Sequence, residues 1–434
     1  MYIVTKIKSV VQNPAYRSVA TYIFTNFFSK GISFLLIPLF TNPRYLTPED
    51  NGVLSLFSSN MILLAPFISL GMLQSASADF FKKTKQEFSV SLTTNFVIAG
   101  LMAMLATLVL YIFREALWEK FELPFSFVYI IPALAFLIFC SDQLFILIRN
   151  QNEVKRFAVL GISKSIMEYA VSVILIVFFF EGWVGRIWGI AISLLLINGF
   201  SIWYYLKNNF IKFSFQKYLV WEELKFGVPI FVFQLSIFLL GATNKLFLAI
   251  FNVDKHELGI YAIACILGAM VGTISQSIML FIQPQLYTTL GSGTATYPAI
   301  KKIFINYFKM LTSLSLACVA VVVFVYFYLI NKIYLPGIKY FFVVALACYI
   351  LALNYFLFLF LVFYKEKRKI LKLALVSIGC SIAIGTFMVK YFLIWGDALA
   401  SLINTVIFLV LVLIFSKSTR KATFARAAAF CNKT

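Results

Sequence analysis

The sequence predicts an all-α integral membrane protein: about twelve transmembrane helices in two six-helix lobes, related by a pseudo-two-fold axis along the membrane normal. Three observations carry this reading. Of the 434 residues 62% are hydrophobic and 12% charged, and mean hydropathy is +0.93. Apolar runs long enough to cross a bilayer core, about 20 residues of helix for roughly 30 Å, recur along the whole chain. A polar phrase also recurs half a chain apart, with Gly259 lying 207 positions after Gly52.

The first half holds runs at 18–41, 53–78, 90–113, 127–148, 157–180 and 187–206, and the second at 226–251, 258–284, 306–330, 341–364, 373–393 and 398–416. Links between them are mostly about ten residues or fewer, too short for a separate soluble domain. Residues 1–17 carry three cations and no small-residue cleavage site, so they read as a retained cytoplasmic start. Residues 207–225, beginning "KNNFIKFSFQKYLVWEEL", mix Lys, Phe, Trp and Glu as an interfacial amphipathic linker between lobes would. Residues 417–434 form a basic tail. The N-lobe is thus 18–206 and the C-lobe 226–416.

Placing the N-terminus inside puts 26 of the 37 Lys and Arg on the cytoplasmic side, concentrated in segments such as "FFKKTKQEF" and "YKEKRKILK". Both termini are then cytoplasmic. The same asymmetry accounts for most of the net charge of +20 and the pI of about 9.6 without nucleic acid. Six scattered cysteines and a single histidine, His256 in a polar loop, offer no disulfide framework and no metal site. Phosphate-loop, G-x-S-x-G and H-E-x-x-H patterns are missing from the sequence, as is any outward loop large enough for a catalytic site. A transporter rather than an enzyme follows, with no cofactor beyond a coupling H⁺ or Na⁺.

The repeated phrase has a local explanation. In "NPRYLTPEDNG", residues 42–52, Thr47 can cap a helix with Pro48 at its first position and Asp50 turned back. In "NVDKHELG", Asp254 and Glu257 stand in the same places. The acids cap helices, and the duplication relates the halves.

Ionisable groups inside spans cost about 2.5–3.5 kcal/mol each at a helix centre, so each asks for a reason. Tyr22, Asn26, Ser29, Lys30 and Ser33 share one face of span 1, and Gln234, Asn244 and Lys245 one face of span 7. Such stripes must face protein or a watery cavity. Tyr22, Asn26, Lys30, Ser33, Gln234, Asn244, Lys245 and Gln276 are therefore the candidate substrate-binding residues. A lining made positive by Lys30 and Lys245 suits an anionic cargo such as a pyrophosphate head bearing sugars. Asp142, Glu168 and, near a span end, Asp79 are candidate ion-coupling groups. Lys164 and Glu168 have the i,i+4 spacing of an intrahelical ion pair and read as a structural pair.

The run from Phe27 to Phe81, with a Lys in span 1, "IPLF" near its end, the "YLTPEDNG" turn and "LGM" late in span 2, resembles the N-terminal signature of the polysaccharide transporters. These are the O-antigen flippase branch of the multidrug/oligosaccharidyl-lipid/polysaccharide exporter superfamily. The stretch "NKLFLAIFNVDKHELGIYAIA" resembles its second-half counterpart. Where many members have an Arg near the end of span 2 and an Asp-Arg pair in span 7, this chain has Asp79 and Asn244–Lys245.

The resemblance implies a fold like that of the multidrug exporters (MATE-like). It also implies flipping of undecaprenyl-pyrophosphate-linked repeat units of O-antigen, capsule or a similar glycan across the bacterial inner membrane. The implied partners are that lipid-linked oligosaccharide, the inner-membrane lipids, and a glycan polymerase with its chain-length proteins. Alternatives from the sequence are a cation-coupled multidrug extruder, for which an acid-rich cavity is expected, and a membrane glycan polymerase.

Overall fold

The computed structural model describes residues 21, 24–25, 28, 31–115, 124–179, 181–212, 217–240, 248, 250–251, 253–291, 297–364 and 366–431. All regular secondary structure among them is helical. After a short α1 (Ile37–Phe40) come α2 (Pro48–Ser69), α3 (Met72–Lys82), α4 (Lys85–Ile112), α5 (Phe127–Asn150), α6 (Val154–Phe178) and α7 (Gly182–Lys207). Next are α8 (Lys217–Leu240), α9 (Lys255–Gly291), α10 (Tyr297–Tyr328), a 3₁₀ turn (Lys332–Gly337), α11 (Ile338–Phe363) and α12 (Lys367–Cys431).

The starts obey capping chemistry. Thr47 accepts from Asp50 N while the Asp50 carboxylate accepts from Thr47 N at 2.9 Å, a complete capping box, with Pro48 at the first helical position. Thr84 and Glu87 do the same for α4. In the second half α9 begins at Lys255 directly after Asp254, with Glu257 in its first turn and Leu258 N donating to Asp254 O at 2.9 Å. Both phrases therefore open helices.

Nine helices among the described residues are long and apolar enough to cross a membrane. One of them, Lys367–Ser416, has 50 residues. At 1.5 Å per residue it is about 75 Å long, more than twice the hydrocarbon core, so its length suffices for two crossings. The break is a single residue, Leu393, at φ 48 and ψ −123. The expected spans 373–393 and 398–416 are thus joined without a loop. Only 17% of the most apolar window of α4 is buried, and Leu101, Met104, Leu105 and Leu108 are exposed on it, the pattern of a lipid-facing helix.

Expected span 2 divides into α2 and α3. Leu70 (φ 39) and Gly71 (φ 71) both adopt left-handed backbone at the break, a conformation glycine takes freely and leucine does not. Of the expected linker 207–225, residues 217–225 are the start of α8, which runs on to Leu240.

The chain folds as two compact units, Met1–Leu235 and Ser236–Thr434. In unit 1, α5 packs against α2, α3, α4, α6 and α7. One core cluster joins Phe88 and Leu92 to Leu144, Ile148, Tyr204 and Phe210, and another joins Ile68 and Met72 to Ala99, Ala135 and Phe139. In unit 2, α9, α10 and α11 share a core around Leu286, Tyr307, Leu311, Phe356 and Phe360. Tyr307 donates to Ala352 O at 2.7 Å and Tyr261 to the Asp397 carboxylate at 2.8 Å, so these buried hydroxyls are satisfied across helices.

Candidate functional site

A cavity of about 700 Å³ lies within unit 1. Its walls are mainly apolar, from Phe57, Met61 and Ile62 of α2, Ile138 and Phe139 of α5 and Ile190 of α7. Three strongly polar side chains reach it from three other turns of the bundle: Asp142 on α5, Glu168 on α6 and Gln234 on α8. Ser58 and Ser69 of α2 add hydroxyls. An apolar chamber with a few convergent polar groups is the usual form of a small-ligand or ion site.

The two acids are held differently. Glu168 accepts from Arg186 of α7 at 2.6 Å, and the same guanidinium donates to Ser172 Oγ at 2.9 Å. Tyr169 and Phe40 flank the guanidinium, with ring centroids 4.4 and 5.6 Å away. Close approach of α6 and α7 makes this possible: a Cβ on Gly189 would fall 1.9 Å from Ser172 Oγ. The expected Lys164–Glu168 ion pair is therefore replaced by Glu168–Arg186. A neighbouring helix offers a planar two-donor partner at better geometry than a lysine one turn away on the same helix. Lys164 instead donates to Ser141 Oγ at 3.4 Å and lies 5.9 Å from the Phe145 ring centre. From there it acts electrostatically on Asp142, which forms no ion pair with any described residue.

Of the sequence-derived substrate candidates, Gln234 lines the cavity, and its Oε1 is buried without a hydrogen-bond partner among the described residues. Ser33 is half-buried and Gln276 is exposed on α9. Tyr22, Asn26, Lys30, Asn244 and Lys245 lie outside the described residues. The positive lining expected of Lys30 and Lys245 lies outside them as well, and the described lining carries the two acids and no cation. Asp79 is away from the cavity, in a cluster with Lys83, Ser91 and Glu223.

Sequence reasoning passed over Arg186, Glu223 and Asp397. Arg186 and Asp397 sit near expected span ends and Glu223 in the expected linker, so neither periodicity nor insertion cost singles them out. Only contacts between helices do.

Residues 15–304 match the family described as polysaccharide biosynthesis protein. The chain belongs to this family. Over 347 residues it is 23% identical to "Lsg locus putative protein 1" of Haemophilus influenzae, covering 79% of this chain and 83% of that one. Among solved structures it is similar to the inward-facing conformation of a multidrug resistance MATE family transporter of the MOP superfamily, with a TM-score of 0.71 at 13% identity. That match covers 92% of this chain and 96% of the other. The outward-facing conformation of such a transporter matches with a TM-score of 0.62 at 14% identity, covering 96% and 98%. This member of the polysaccharide biosynthesis family is thus a multi-pass membrane protein with the two-lobe fold of the MATE transporters.

Proposed function

We propose that this protein is a flippase that carries undecaprenyl-pyrophosphate-linked oligosaccharide repeat units across the bacterial inner membrane, with both termini in the cytoplasm. One conjunction supports the reading: a chain of a polysaccharide biosynthesis family has the fold of an exporter. A glycan pathway needs a step that moves its lipid-linked intermediate, and an exporter fold suits that step better than bond formation.

In this reading the protein works by alternating access, a cavity shelters the glycan head, and the polyprenyl tail stays in lipid. Lys30 and Lys245 bind the pyrophosphate, and Asn26, Tyr22, Ser33, Asn244, Gln276 and Gln234 supply hydrogen bonds and sugar platforms. Coupling to H⁺ or Na⁺ falls to Asp142, because Glu168 is held by Arg186. Each charge carried through 100 mV supplies about 2.3 kcal/mol, enough to bias such a cycle. A glycan polymerase and its chain-length proteins take the product.

Deleting the gene should leave the lipid-linked repeat unit on the cytoplasmic face; a unit that still reaches the periplasm and only fails to polymerise would refute the flippase. Lys30→Ala should impair export at normal protein abundance in the membrane.

The acid-lined cavity favours a second reading, extrusion of small organic cations. It requires that the deletion strain become sensitive to cationic drugs while its surface glycan remains normal.

A further inference from the structure

The end of α3, the first turns of α4 and the start of α8 meet at a cluster the cavity does not include. Lys83 Nζ is 2.7 Å from Asp79 Oδ2 and 3.9 Å from Glu223 Oε1. Ser91 Oγ lies 3.0 Å from Asp79 Oδ2 and 2.9 Å from Glu223 Oε1. The Glu223 side chain is 2% exposed, and its Oε2 is buried without a hydrogen-bond partner among the described residues.

Donors and acceptors do not balance there if both acids are ionised. A serine hydroxyl has one proton to give, and ionised carboxylates only accept. With Ser91 at hydrogen-bond distance from both, one contact would set lone pair against lone pair. A single added proton resolves this, with Glu223 donating to Ser91, Ser91 to Asp79, and Lys83 to Asp79. Lys83 lies against Asp79 rather than Glu223, so the proton belongs on Glu223.

We infer that Glu223, with Ser91, Asp79 and Lys83, is a proton-binding site that holds α8 against α3 and α4. Other charged side chains described on the adjoining elements are engaged or turned outward. Lys85 lies over the Phe210 ring at 5.2 Å, Glu87 is bound to Thr84, and Arg149, Lys212 and Lys225 are exposed.

Burial, reinforced by the Asp79 charge and partly offset by the Ser75 and Ser91 hydroxyls, raises the Glu223 carboxyl above the ordinary glutamate range. Release of the proton to solvent leaves two carboxylates against one ammonium and an acceptor facing an acceptor. It therefore loosens the docking of α8, the helix that runs from unit 1 into unit 2. The assignment does not depend on the cargo.

The test is an infrared pH titration of the full-length protein in lipid nanodiscs, following the carbonyl stretch of protonated carboxyl groups. A band should titrate with a midpoint above about 4.3, the ordinary glutamate value, and be missing in Glu223→Gln, whose amide can still donate to Ser91. Lys83→Met should move the midpoint up and Asp79→Asn should move it down; a merely structural role for these side chains would shift neither. A band that persists in Glu223→Gln, or a midpoint unmoved by both charge variants, overturns the assignment. The readout uses protons alone, so its failure is separable from failure of the flippase reading.

Discussion

Gly227 on α8 lies against the carbonyl oxygen of Leu70, so close that a Cβ on Gly227 would stand 1.8 Å from it. The approach is mutual, since a Cβ on Gly71 would lie 2.9 Å from Gly227 O. Phe67 and Phe231 close the joint edge to face at 4.8 Å. The left-handed break that divides α2 from α3 is thus the seat of α8, and it lies beside the Glu223 cluster.

Gly227→Ala should therefore push α8 off this seat. Backbone, unlike the end of a flexible side chain, cannot yield, and overpacking typically costs about 1–3 kcal/mol. The expected result is a lower thermal midpoint in detergent. Gly199→Ala, inside α7 where a Cβ meets nothing within 4 Å, is the control and should not lower the midpoint, since alanine is about 1 kcal/mol better than glycine in a helix interior.

Removing Arg186 strands Glu168. Their side chains are 15% and 21% exposed, and breaking one partner of such a largely buried pair costs up to roughly 3–5 kcal/mol. Arg186→Met should sharply reduce the amount of folded protein, and the double variant with Glu168→Gln should recover most of it. A double variant as unstable as the single would show that the guanidinium acts through Ser172 and Tyr169 instead.

Asp142→Asn tests coupling. Export driven by an imposed ion gradient should lose its dependence on that gradient, while size-exclusion behaviour stays that of the native protein. Retention of full gradient dependence would take Asp142 out of the coupling path.

The caps make a smaller and local prediction. Thr47→Ala should destabilise the start of α2 by about 1 kcal/mol, read as faster hydrogen exchange in its first turn. At α4, the Thr84 backbone N–H and hydroxyl hold the Glu87 carboxyl below the usual range. Its contribution is present above the ordinary glutamate value and is lost as pH falls through the lowered one. Protection from exchange at the first turn of α4 should fall on acidification, and Glu87→Gln should remove that dependence.

Much of this plan is legible in the sequence because each signal is local. Span length follows from bilayer thickness, helix starts from Thr47 and Asp50, and the kinship of the halves from Asp254 and Glu257 repeating that phrase. The need of Asp142, Glu168 and Gln234 for a polar setting follows from the cost of burying them, and the structure places all three on one cavity. Other features depend on what a neighbouring helix brings. The i,i+4 spacing of Lys164 and Glu168 says that they can pair, yet Arg186 on the next helix competes and wins. Gly227 and Gly71 are unremarkable as letters and meaningful only as touching backbones. Glu223 reads as an interfacial acid until Ser91 and Asp79 close on it. Periodicity and insertion cost act along one helix, so the sequence by itself determined the class of protein and its polar spans. Ion-pair partners, backbone joints and the protonation of a buried acid arise between helices, and only tertiary structure decided them.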